Sequence, residues 1–159
     1  MKIAPPRVSR ATLAVLAWVS LWSMVGVAIV HRTRRAIAEL REAPSVSFVN
    51  FGWFTREATD FQWLLHVPGA ERRFVQLVEG GSPAARVFGA CGLYLLQSEQ
   101  LDAARDHLSI DDAEVELGGC LRISRQVREM VSDLPGFCDQ TRLSVFHWGW
   151  AEFVWLTGR

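Results

Sequence analysis

The chain has 159 residues, half of them hydrophobic, and its 17 basic residues balance 17 acidic ones. So much apolar material excludes a disordered chain, and arginines dispersed among acids give no basic patch for nucleic acid. Lys2 is the only lysine among the basic residues, a usage of the kind expected from a GC-rich bacterial genome.

Residues 1–10 form a short polar tail, where Pro5-Pro6 opposes helix. The stretch that follows, Ala11 to Val30, is twenty residues without a formal charge. A helix of that length covers roughly 30 Å, the thickness of a bilayer's hydrocarbon core, and it satisfies its own backbone in lipid. Lys2, Arg7 and Arg10 precede it and Arg32, Arg34 and Arg35 follow, so a transmembrane anchor over 11–30 is expected, with the lipid bilayer as its partner. A cleaved signal peptide is the alternative, because Gly26-Val27-Ala28 offers the small residues a signal peptidase reads. Against it, the apolar core exceeds the ~7–15 residues usual for a signal. A buried helix of a soluble domain would need a large protein around it. Within the span, Trp18 and Trp22 stand four apart on one face, deeper than the interfacial belt, and are a candidate helix–helix contact.

Counting Lys and Arg at each end nearly ties, so the positive-inside rule leaves orientation weakly set. The domain is expected outside the cytoplasm, because short amino-terminal tails usually stay inside and because the cysteines can pair. Cys91 and Cys120, both apolar and glycine-flanked, are the candidate disulfide. Closing that loop would stabilise by roughly 3–4 kcal/mol on the chain-entropy model. Three reduced, buried cysteines are the alternative.

Residues 31–44 continue the span as a basic helix, expected to reach Ala43 and to end at Pro44. Residues 45–159 make a small, mainly helical domain. Within it SVSFVNFGWF, rich in β-branched and aromatic residues, reads as extended. TREATDFQWLLHV follows as a helix with Phe61, Leu64 and Leu65 on one side, closed by Pro68-Gly69. ERRFVQLVE places Phe74, Leu77 and Val78 at helical spacing before Gly80-Gly81. Ser82 then caps and Pro83 starts the central helix, AARVFGACGLYLL, apolar over most of its surface. Gly89 and Gly92 weaken it by about 1 kcal/mol each, which implies that another backbone lies close. A polar helix follows near Gln100 to His107. Gly118-Gly119 between short apolar runs suggests a hairpin, and Ser124 is expected to cap a last helix bearing Val127, Val131 and Leu134, closed by Pro135-Gly136. The tail, LSVFHWGWAEFVWL, is aromatic-rich and too short to span a bilayer, and its Trp148, Trp150 and Trp155 are candidate interface residues.

The helices joined at GGSPAARVFGACGLYLL look like one α-hairpin of a HEAT-type repeat, without a second copy at a fixed period. The run of Ser82-Pro83-Ala84, Gly92-Leu93 and Gly119-Cys120 resembles some uncharacterised exported bacterial proteins over about residues 72–134. That resemblance implies no activity.

The catalytic signatures G-x-S-x-G, the P-loop, G-x-G-x-x-G and H-E-x-x-H do not occur in the sequence. No C-x-x-C or suitably spaced histidine supports a metal, and no cofactor is expected. Cys138 with Asp139 and His147 is the one thiol grouping to nominate. Asp111-Asp112 with Glu114 and Glu116 lacks the glycine and spacing of a calcium loop and reads as a solvated turn that starts a helix. The expectation is therefore a membrane-anchored, non-catalytic interaction domain whose partner is another membrane or envelope protein. The alternatives are a small anchored enzyme and an accessory subunit that meets its partners inside the bilayer.

Overall fold

The structure, a computed structural model, describes residues 10–47, 49–50, 53–118 and 123–138. It is mostly helical with a small sheet, and it divides into two compact units between Arg35 and Ala36. The first unit holds most of one helix, α1 (Arg10–Arg41), and the second holds everything after it. The helix stops at Arg41, two residues short of the expected Ala43, and residues 42–43 turn back with Ala43 N–H donating to the Leu40 carbonyl at 3.2 Å.

The second unit begins with three short strands, β1 (Ser45–Val46), β2 (Val49–Asn50) and β3 (Trp53–Phe54), in the stretch expected to be extended. Helix α2 (Arg56–His66) starts where the Thr55 hydroxyl accepts from Ala58 N–H at 3.1 Å, and it buries Phe61 and Leu64. Gly69 takes φ +73°, which glycine adopts without penalty, and turns the chain into α3 (Ala70–Gly80). Helix α4 (Pro83–Leu95) then begins with Ser82 as its cap, accepting from Ala85 N–H at 3.1 Å, and Pro83 in the first turn. Ser82 also donates its hydroxyl to the Ala43 carbonyl at 2.7 Å and its N–H to the Arg41 carbonyl at 2.9 Å. One residue thus caps a helix with its side chain and, through hydroxyl and backbone N–H together, ties down residues 41–43.

Helix α4 is the centre of the unit, touching α2, α3, β1 and three later elements: α5 (Leu101–Leu108), β4 (Glu114–Leu117) and α6 (Val127–Ser132). Its closest neighbour is α3. A Cβ on Gly89 would lie 2.8 Å from the Phe74 carbonyl oxygen and 2.9 Å from Val78 N, so only glycine admits this approach. A Cβ on Gly92 would strike the Phe74 ring. Phe61 stands 5.5 Å from Phe74 and 5.7 Å from Phe88 between ring centroids, forming the aromatic heart of the core.

A three-stranded sheet in the order β1-β4-β5 covers one side, where β5 is Ile123–Gln126. The parallel β1–β4 pair, Ser45 to Glu116 and Val46 to Leu117, joins residues 71 apart and had no local sequence signal. The expected hairpin exists as antiparallel β4–β5, but Leu117 pairs with Ile123, so residues 118–122 connect the strands and not the glycine pair alone.

Three further expectations are corrected. Ser124 does not cap a helix: it lies in β5 opposite Glu116 and donates to Glu114 Oε2 at 3.1 Å. The first amides of α6 are satisfied by backbone, Val127 N–H by the Ala113 carbonyl at 3.0 Å and Arg128 N–H by the Asp111 carbonyl at 3.1 Å, which makes a side-chain cap unnecessary. Pro135-Gly136 does not close that helix, since residues 134–138 are helical again and proline suits a first turn. The acidic turn leads into β4, not into a helix.

Candidate functional site

The apolar part of α1 has the chemistry of a lipid-facing rod. Its backbone groups pair within the helix, and two serine hydroxyls pair with it too: Ser20 Oγ donates to the Leu16 carbonyl and Ser23 Oγ to the Val19 carbonyl, each at 2.8 Å. Its large side chains face outward on all sides, with Trp18 63%, Trp22 59% and Met24 72% exposed. Among the described residues the most apolar stretch buries none of itself against protein, and the helix is long and apolar enough to cross a membrane. Among the described residues no other helix is.

Trp18 and Trp22 come together as expected from their spacing, with ring centroids 5.5 Å apart. With Val15, Val19 and Ser23 they line a shallow apolar groove along one face. Neither indole N–H has an acceptor among the described residues. Beyond the apolar stretch, His31 and Arg34 are exposed.

In the second unit the cysteine expectation is corrected. Cys91 is bonded to Cys138, with Cα atoms 5.8 Å apart and both residues fully buried, because α6 lies against α4 and carries the 134–138 turn to it. Cys120 lies outside the described residues. The nominated thiol grouping loses its nucleophile, since the Cys138 sulfur is in that bond and not exposed on a loop. Asp139 and His147 are not described, and neither are the candidate interface residues Trp148, Trp150 and Trp155.

The acidic turn is spent on structure. Asp111 pairs with Arg86 and its other oxygen accepts from Ala113 N–H at 3.1 Å, while Asp112 pairs with Arg128 at 2.6 Å. No cluster of three metal-ligating side chains occurs among the described residues. A shallow groove between α5 and α6 mixes Arg105 and Arg128 with Asp106 and Glu129, so it presents no single charge to a ligand.

One residue escaped the sequence reading. Asp60, on α2, is completely buried and engaged within the fold, as a buried carboxylate must be. Its signal was positional: it stands four residues before Leu64, on the face that α2 turns inward. No protein-family model, curated protein or solved structure matches the chain.

Proposed function

We propose that this chain is a single-pass membrane protein whose residues 45–159 form a non-catalytic interaction domain on the outer side of a bacterial cytoplasmic membrane. One observation carries the reading: the most apolar stretch of α1 is unburied among the described residues, and its Ser20 and Ser23 hydroxyls are already paired to carbonyls of the same helix. Water is a poor solvent for such a surface, whereas hydrocarbon suits it. The Cys91–Cys138 bond supports the outward placement, because disulfides persist in oxidising compartments and are rare in the cytosol.

The interaction role draws on the sheet edge. Strand β5 pairs with β4 alone among the described strands, and its Ile123 is 50% exposed. An edge of that kind accepts an added strand from a partner.

An alkaline carbonate wash of native membranes tests the anchor: the full-length chain is expected in the pellet. Protease added to spheroplasts should digest the domain without lysis. Release by carbonate, an amino terminus beginning after Ala28, or protection of the domain in spheroplasts would each overturn the corresponding part. Crosslinking in native membranes with mass spectrometric identification is expected to return an envelope protein joined to residues 45–159.

A further inference from the structure

Resting on the membrane reading, we infer that α1 pairs in the bilayer with α1 of a second copy of this chain, through the face bearing Val15, Trp18, Val19, Trp22, Ser23 and Gly26. Three observations converge on that face. Trp18 and Trp22 lie roughly 10 Å inside the nearer end of the 11–30 stretch at 1.5 Å per residue, below the headgroup level where indole N–H groups find acceptors. Their N–H donors meet none among the described residues, and hydrocarbon chains offer none. Ser23, in the same groove, donates its hydroxyl proton to the Val19 carbonyl and keeps its oxygen lone pairs for an incoming donor.

Donor and acceptor thus share one patch, which is the requirement for a two-fold contact in which each copy presents the same surface. An indole of one helix donates to Ser23 of the other, and the reverse contact follows by symmetry. Gly26 belongs to the same face, one turn beyond Trp22. A Cβ there would meet nothing within 4 Å, so nothing inside a single copy requires glycine, although glycine costs a helix stability relative to alanine. A second backbone approaching beside the protruding indoles accounts for it. Val15, Trp22 and Ile29 recur every seven residues with Trp18 and Val25 between them, the spacing that keeps one seam in contact along a left-handed pair.

The test uses the full-length protein in native membranes. With the photo-reactive residue p-benzoylphenylalanine in place of Val15, irradiation is expected to yield a species of twice the mass, made of this chain alone. The same residue in place of Met24, on the opposite face, is expected to yield little of it. Trp22→Phe keeps an aromatic ring, though a smaller one, and removes the donor, and Ser23→Ala removes the acceptor. Each is expected to lower the crosslinked fraction about threefold to tenfold, the range measured for hydrogen bonds between membrane helices. Gly26→Leu is expected to lower it further. Crosslinking to lipid alone at position 15, equal yields at 15 and 24, or no effect of Trp22→Phe would overturn the pairing. Carbonate resistance of the same samples reports separately on the anchor, so a chain that stays in the pellet without self-crosslinks refutes only the pairing.

Discussion

In α4, Arg86 is the single charge among thirteen residues, and in α1 the twenty residues from Ala11 to Val30 carry none. By composition the two stretches are near twins. Helix α4 is covered by four helices and two strands, whereas the apolar part of α1 is covered by nothing among the described residues. Length separates them: α4 is about 20 Å long, which a domain of roughly a hundred residues can wrap, while about 30 Å of apolar helix exceeds what that domain can cover. Glycine separates them too. Gly89 and Gly92 are pressed against α3, and Gly26 stands in open space. An apolar helix therefore announces that it must be hidden, and its length and the crowding at its glycines tell whether its own domain hides it.

The largest expected effect comes from making the apolar stretch of α1 unfit for lipid. Each arginine near the centre of a span costs about 2.5–3.5 kcal/mol on the insertion scale, so Val19→Arg with Met24→Arg should cost about 5–7 kcal/mol. Carbonate fractionation should then find the double variant largely outside the membrane pellet. Full retention would show that the stretch was never held by lipid.

On the other side of the comparison, the strongest single tie on α4 is its bond to Cys138. The bridge joins residues 47 apart, which corresponds to about 4 kcal/mol on the chain-entropy model. Cys91→Ser and Cys138→Ser should each lower the unfolding free energy of the detergent-solubilised protein by that order. Reductant should then produce no further loss in either variant. Cys120→Ser should leave stability unchanged, and a loss there equal to the other two would restore the Cys91–Cys120 pairing.

Smaller effects come from the joints of α4. Gly89→Ala places a methyl against backbone atoms of α3, which cannot swing aside as a side chain would, and should cost about 1–3 kcal/mol despite the gain in helix propensity. Ser82→Ala removes both the cap on Ala85 and the hydrogen bond to the Ala43 carbonyl, for about 1–2 kcal/mol. Denaturant unfolding measures both, and Ser82→Thr should recover most of the second loss.

Much of this was legible because its causes are local. The Ser82-Pro83 start, the Gly69 turn, the apolar face of Phe74, Leu77 and Val78 and the uncharged run of α1 are written in neighbouring residues. What failed was settled by distant partners. Ser124 has the chemistry of a cap, but strand pairing with Glu116 claimed its backbone, and carbonyls from residues 111 and 113 served the helix in its place. Cys91 had two candidate partners of equal chemistry, and only the placement of α6 against α4 chose between them. For Asp60 the helical face was readable, whereas a carboxylate on it contradicted the usual rule for buried positions. At the candidate site the groove of Trp18 and Trp22 followed from their four-residue spacing, and the orphan indole donors followed only once the side chains were placed.

The smallest expected effect is also the cleanest contrast. Gly26→Ala and Gly89→Ala make the same covalent change in the middle of an apolar helix, and both gain about 1 kcal/mol of intrinsic helix propensity. Propensity therefore cancels when the two are compared. At position 89 the methyl meets the Phe74 carbonyl oxygen and Val78 N, and at position 26 it meets nothing within 4 Å. Unfolding of the second unit should accordingly be unchanged in Gly26→Ala to within about 0.5 kcal/mol, the scatter of substitutions that touch nothing, and retention by membranes should not fall. If Gly26→Ala instead destabilised the domain as Gly89→Ala does, the apolar part of α1 would have to lie against protein of its own chain, and the contrast between a helix hidden by protein and one left to lipid would collapse.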